Sequence, residues 1–144
     1  MKAATFSIAN KTRGLIPRLP FKAMKEAVLG TSYDLSFALL TPKEATLVTK
    51  RTKNKDKASN VLAFPLSKTS GEIFICPSTA TKEAPLFGMP PQDFIGYLFI
   101  HGLLHLKGHE HGGTMERAEQ KLLARFNLCK RLSPESMSAP TKSR

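Results

Sequence analysis

Residues 91–108 have the sequence PQDFIGYLFIHGLLHLKG and contain the longest apolar segment of the chain. Apolar side chains fall on nearly every side of the helix that it predicts: Phe94, Ile95, Tyr97, Leu98, Phe99, Ile100, Leu103, Leu104 and Leu106. A helix that is apolar all round has to lie inside a protein, because it has no face for water. The sequence therefore predicts a buried central helix that begins at Pro91 and ends at Gly108, a residue type that ends helices in the left-handed conformation.

Four short segments outside this helix have the pattern of β-strands. Residues 5–9 and 33–39 alternate apolar and polar side chains, a period of two that buries one face of a strand. Residues 61–64 and 71–76 predict two further strands, and we expect the first of them to stop at Pro65 because proline cannot donate a ladder hydrogen bond. The expected sheet thus has about four strands.

Three further helices are predicted outside the central one. Apolar residues at helical spacing over residues 20–30 predict a first helix, and Thr41 with Glu44 forms a capping box around Pro42 that opens a second. Residues 79–90 are rich in turn-forming residues and give no information about regular structure. A last amphipathic helix is expected to cover the central helix with an inner face of five residues: Met115, Ala118, Leu122, Leu123 and Phe126.

The charge balance indicates a polyanionic partner. Lys and Arg number 22 against 11 for Asp and Glu, a formal net charge of +11 that favours nucleic acid, although basic residues can also serve only to solvate a surface. No apolar run approaches the roughly 18 residues of a membrane span, and residues 1–10 lack the apolar core of a secretory signal. Cys76 and Cys129 form no C-x-x-C pair and are expected to be ordinary buried or half-buried thiols in the cytoplasm.

All four histidines lie between positions 101 and 111, and this clustering predicts a transition-metal site, most naturally for zinc. His101 and His105 are four residues apart on the central helix, so their side chains lie on one face and can reach a single ion. Gly108 lets the chain leave the helix and return His111 to the same ion, but spacing alone leaves His109 open as the third ligand. Three histidines leave one coordination position open, as in catalytic zinc sites.

Two other interpretations of the histidines compete with a metal site. Core histidines can be satisfied by backbone carbonyls, but a pair at this spacing with a third histidine after a glycine favours a metal. A metalloprotease helix carries glutamate directly after its first histidine as general base, whereas Gly102 stands here and more simply allows close packing of a neighbouring element. Glu110 is the nearest carboxylate, either orienting the site or lying solvated in a turn.

These patterns together predict an α+β fold in a zincin-like single domain, with a small mixed sheet of about four strands packed with helices around the central metal-binding helix. A chain of 144 residues, 41% of them hydrophobic, can fill one core. We expect one domain over residues 1–130, and a disordered basic tail over residues 131–144.

The run HGLLHLKGHEH at residues 101–111 resembles the H-G-x-L-H-L-x-G-Y-D-H signature of the YbeY family of bacterial zinc-dependent endoribonucleases. The resemblance implies that His101, His105 and His111 are the zinc ligands, with one ion per chain. It puts His109 at the tyrosine position of the signature and Glu110 at its aspartate position. Both residues depart from the family pattern.

A second segment carries the same resemblance. DKASNVLAFP at residues 56–65 is similar to the family's D-K-P-T-D/N-V-L-S-F-P, and GEI at residues 71–73 is similar to its G-D-I strand. The family's functional arginine aligns with Lys53, and the nearest arginine is Arg51. The candidate catalytic residues are therefore Lys53, Arg51 and Glu110, although a lysine lacks the planar fork with which guanidinium holds a phosphate.

The resemblance implies a single-strand-specific metal-dependent endoribonuclease that acts in ribosomal RNA processing, at the 3′ end of 16S rRNA, and in ribosome quality control. Its expected partners are single-stranded RNA or rRNA and the ribosome, and no membrane. A zinc-dependent hydrolase of a peptide or small phosphoester is one alternative. A non-catalytic zinc-containing protein that binds RNA or the ribosome is the other, and it would need a fourth protein ligand.

Overall fold

The computed structural model describes residues 6–53, 60–109 and 112–128, and within them four strands and five α-helices pack as an α+β fold. The predicted class, a small mixed sheet packed with helices, is confirmed. The expected tail, residues 131–144, lies outside the described residues. No helix in the described part of the chain is long and apolar enough to cross a membrane.

The sheet has the strand order β1-β2-β4-β3. Its strands are β1 (Phe6–Asn10), β2 (Asp34–Leu39), β3 (Val61–Ser67) and β4 (Ser70–Ile75). The pairs β1–β2 and β2–β4 are parallel, whereas β3 and β4 form an antiparallel hairpin. The sheet is therefore mixed, with β1 and β3 at its two edges.

The expectation that Pro65 would end the third strand was wrong. β3 runs on to Ser67, and Pro65 pairs with Gly71 just before the register shifts. An edge strand tolerates proline because the missing N–H can face away from the ladder, and a bulge relaxes the pairing further. The sequence-based prediction ended β3 too early because it did not take into account that β3 is an edge strand.

In the described ranges, five α-helices and one 3₁₀ turn pack around the sheet: α1 (Phe21–Leu29), α2 (Pro42–Lys53), α3 (Pro77–Glu83), the 3₁₀ turn (Ala84–Phe87), α4 (Pro91–Lys107) and α5 (Gly113–Arg125). The capping box that opens α2 is present, because the Thr41 and Glu44 side chains each accept the other's backbone N–H at 3.2 Å. Residues 79–90, on which the sequence was uninformative, contain most of α3 and the 3₁₀ turn. Ala80 and Ala84 are fully buried there, so close packing of small residues stabilises helices whose sequence has little periodicity.

The main core lies where α1 and α4 pack on one face of the sheet. Phe21 of α1, Phe37 of β2 and Phe99 of α4 meet with ring centroids 4.6 to 5.0 Å apart, so three elements share one aromatic cluster. All three rings are buried. Such a cluster orients α4 against the sheet, because its rings interlock in tilted and edge-on pairs.

A second, smaller cluster lies on the opposite face of the sheet and corrects the prediction that β2 buries one face only. Ala38, Leu40, Ala45 and Cys76 are buried together there. The start of α2 covers this face, so β2 is enclosed on both sides from Phe37 onward. Cys76 is a buried free thiol, as expected, whereas Cys129 lies outside the described residues.

The central helix α4 runs antiparallel to β4. A Cβ added to Gly102 would lie 3.2 Å from Ile73, and one added to Gly71 would lie 3.0 Å from Leu106, so the helix and the strand touch at two levels. Gly102 thus provides the close packing that the sequence predicted for it. Gly108 ends the helix with φ 109°, in the left-handed region.

Candidate metal centre

The central feature of the site is the pair of histidines on one face of α4. The Nε2 atoms of His101 and His105 lie 3.2 Å apart, and the two rings are nearly perpendicular at 84°. Two imidazole nitrogens bound tetrahedrally to one zinc at roughly 2.0–2.1 Å stand about 3.3–3.4 Å apart. The pair therefore fits a shared divalent ion without rearrangement.

A buried carboxylate contacts Nδ1 of His101, the ring nitrogen that faces away from His105. Glu119 of α5 lies with Oε2 2.5 Å from Nδ1 of His101, and the glutamate is only 2% exposed. A carboxylate accepts hydrogen bonds, so Nδ1–H donates, and in the neutral form of such a ring the lone pair lies on Nε2. The nitrogen that faces His105 is thus the one able to bind a cation.

The predicted inner face of α5 did not include Glu119. Met115, Glu119 and Leu123 are spaced four residues apart and are all buried, whereas Leu122 is only partly buried. The signal was available as a single carboxylate in an otherwise apolar helical row. A row of this kind marks a buried charge that needs a partner.

An aromatic ring borders the site one turn earlier on α4. Tyr97 is 5% exposed, and its ring centroid lies 5.9 Å from that of His101. The side chain of His101 keeps 15% of its surface exposed. The pair is therefore neither sealed in the core nor open on all sides, which suits a site that has to admit a substrate.

Four of the six predicted site residues can be placed by backbone or side chain, and two of them are brought together. His101 and His105 meet as described, and His111 and Glu110 lie outside the described residues. Lys53 is the last residue of α2 and Arg51 lies in its final turn, but their side chains are likewise outside the description. The lysine-rich residues 50–53 thus belong to the end of α2.

The alternative third ligand, His109, lines a different surface. It borders a groove of about 310 Å³ between α1, α4 and α5, together with Leu104, Lys107 and Lys121. In the described ranges, which omit residues 110 and 111, no three His, Cys, Asp or Glu side chains are grouped as a ligand set. The structure therefore does not bring His109 to the histidine pair.

Asn60 is the first described residue after α2, and two hydrogen bonds fix its position. Asn60 donates from its side-chain amide to Oε1 of Glu83 at 2.5 Å, and its carbonyl accepts the N–H of Cys76. Three residues later Ala63 pairs with Ile73, the residue under Gly102 of α4. At about 3.3 Å per residue, Asn60 stands roughly 10 Å along the strand from that level.

The fold and the site together define an α+β protein whose central buried helix carries a histidine pair backed by a carboxylate. A sequence profile described as Endoribonuclease YbeY matches residues 3–127. The chain belongs to the endoribonuclease YbeY family, and the resemblance carried by the histidine run is thereby confirmed.

Individual relatives agree with the family assignment. The chain is 38% identical to an endoribonuclease YbeY of Nautilia profundicola over 68% of this chain and 76% of that protein. It is 32% identical to one of Neisseria meningitidis over 74% of this chain and 70% of the relative. A solution structure from Thermotoga maritima has the same fold, with a TM-score of 0.66 at 21% identity and 97% of each chain covered.

Proposed function

We propose that this chain is a zinc-dependent endoribonuclease that cuts single-stranded RNA, acting in the cytoplasm on the 3′ end of 16S rRNA and in ribosome quality control. The observation that carries the proposal is the pair of His101 and His105 Nε2 atoms, 3.2 Å apart on the central helix of a chain from this family. The nuclease domain is proposed to occupy residues 1–130, with RNA and the ribosome as partners.

The proposed ligands are His101, His105 and His111, holding one zinc ion per chain. When bound, zinc supplies Lewis-acid polarisation of a phosphoryl oxygen. The residues of the chain hold the ion and fix the orientation of its ligands. His101 and His105 would hold the ion through their Nε2 atoms, and Glu119 holds the ring of His101 in place.

The proposed phosphate contacts come from the basic segment of residues 50–57. Lys53 or Arg51 balances the negative charge that develops on the phosphate oxygens during cleavage. The other lysines of this segment bind the RNA strand through its phosphates, which gives affinity with little sequence preference. Glu110, next to the third ligand, is proposed to orient that histidine.

One observation weighs against the peptidase alternative. The position that carries the general base in a metalloprotease helix is Gly102, and a Cβ there would already lie 3.2 Å from Ile73. A glutamate at this position would point into β4 rather than at a substrate. The remaining alternative, a non-catalytic zinc protein that binds RNA, requires a fourth protein ligand on the metal.

The test combines metal analysis with cleavage of a single-stranded RNA by the full chain. We expect one zinc per wild-type chain and loss of both zinc and cleavage in His105→Ala. His109→Ala is the matched control, since that histidine lines the groove between α1, α4 and α5, and it should keep both. Cleavage that persists unchanged in highly purified His105→Ala contradicts the metal mechanism, and loss of zinc in His109→Ala contradicts the ligand set.

Lys53→Ala separates catalysis from binding. Loss of a charge that acts on the developing phosphate charge lowers kcat by about 10²–10³-fold, whereas loss of a simple strand contact raises KM and leaves kcat unchanged. We expect the fall in kcat. Lys22→Ala, an exposed lysine on α1, is the control for general loss of positive charge.

A further inference from the structure

We propose that Glu119 is a positioning residue of the metal centre: its carboxylate fixes His101 with the proton on Nδ1 and the unprotonated Nε2 facing His105. This inference deepens the proposed function, because it concerns the residue that prepares a zinc ligand. It adds to the site a residue from α5, an element that carries none of the predicted ligands.

Burial is the first step of the argument. Glu119 is 2% exposed and sits in the row of Met115 and Leu123, two fully buried apolar residues. A carboxylate in such a position is costly unless a donor or cation compensates it. In the described part of the chain, the structure gives this carboxylate one partner, the His101 ring at 2.5 Å.

Orientation is the second step. The His101 ring is held at both of its nitrogens, with Nδ1 at Glu119 and Nε2 3.2 Å from Nε2 of His105. Rotation of the ring would break the contact with the carboxylate, so the carboxylate selects one orientation and one tautomer. A ring fixed in this way loses no further freedom when a cation binds, which raises the affinity of the site.

A purely structural role for Glu119 makes a different prediction. If the glutamate served only to join α5 to α4, its replacement would lower the stability of the metal-free protein and leave the intrinsic affinity for zinc unchanged. A positioning role moves the affinity and the tautomer of His101 instead. The two roles are therefore separated by measurements on metal-free and zinc-loaded protein.

The experiment compares Glu119→Gln with wild type, and Glu116→Gln is the matched control because Glu116 is an exposed glutamate one turn earlier on the same helix. Zinc affinity is measured by competition with a chromophoric chelator. We expect Glu119→Gln to bind zinc about 10–100-fold more weakly, with Glu116→Gln within about twofold of wild type. Equal affinities in the two variants overturn the proposal, as does a wild type that binds no zinc.

A second measurement needs no metal and no variant. Nitrogen-15 NMR of metal-free wild type reports which ring nitrogen of His101 carries the proton, and we expect Nδ1. A proton on Nε2 overturns the proposal even if Glu119→Gln fails to fold. Glu119-dependent zinc binding without any RNA cleavage would instead leave the positioning role intact and refute the proposed nuclease function.

Discussion

The contact between Gly71 and Tyr33 gives a quantitative test of how α4 is seated on the sheet. A Cβ at position 71 would lie 2.5 Å from the Tyr33 hydroxyl, 3.0 Å from Leu106 and 3.1 Å from the Phe64 carbonyl. The first of these distances is well inside van der Waals contact, and the third involves backbone that cannot move away easily. Gly71→Ala should therefore be destabilising by about 1–3 kcal/mol, the usual cost of overpacking a core.

The hydroxyl of Tyr33 allows a second variant to test the same contact. It is buried and has no hydrogen-bond partner among the described residues, so Tyr33→Phe removes a polar atom that gains nothing from burial. The single variant should be neutral or slightly stabilising. Combined with Gly71→Ala it removes the shortest contact, and we expect it to recover roughly 1 kcal/mol, a coupling typical of touching residues.

The assay is urea unfolding of wild type, both single variants and the double variant, followed by far-ultraviolet circular dichroism. Gly14→Ala is the control, because the nearest atom to its Cβ would be 3.8 Å away. It should change stability by less than about 0.5 kcal/mol. Strictly additive effects of the two changes, or a Gly71→Ala protein as stable as wild type, would refute the packing described for this end of α4.

Two further predictions concern the start of α2 and the alkaline limit of stability. Thr41→Ala removes one half of the capping box and should cost about 1 kcal/mol in urea unfolding. Thr46→Ala, at a half-buried position where the hydroxyl only donates to the Pro42 carbonyl of the same helix, should cost less, and equal effects would contradict the cap. Burial raises the pKa of Tyr33 above its ordinary value of about 10, so the unfolded chain releases this proton first and stability falls as pH rises above that value. Tyr33→Phe should reduce this loss of stability at alkaline pH. Tyrosinate absorbance reports the ionisation of Tyr33 with little background, because the chain has two tyrosines and no tryptophan. An unchanged slope of stability against pH in Tyr33→Phe would contradict the raised pKa of this tyrosine.

Local patterns predicted the elements whose signals are local. The all-round apolar character of residues 91–108 placed α4 correctly, and the Thr41–Glu44 capping box placed the start of α2. Both depend on side chains within a few residues of each other, so neighbouring sequence determines them. The spacing of His101 and His105 likewise predicted that the two rings would meet.

Tertiary context explains what the sequence did not reveal. Pro65 is tolerated in β3 because that strand lies at an edge, and α3 forms where Ala80 and Ala84 can approach other elements closely. Neither fact is visible before the strand order and the packing are known. The burial of β2 on both faces depends in the same way on α2 covering the far side of the sheet.

The contact of Glu119 with His101 shows how the site depends on the whole fold. The two residues are 18 positions apart, and only the packing of α5 against α4 brings them together. Because α5 carries the carboxylate in the same row as Met115 and Leu123, the apolar contacts that seat this helix also set the position of the carboxylate. A shift of α5 by one residue would turn that row away from α4 and put the carboxylate in water, since successive helical residues point about 100° apart. The geometry of the histidine pair therefore depends on how α5 packs against α4, and a change in that packing should alter the geometry of the pair.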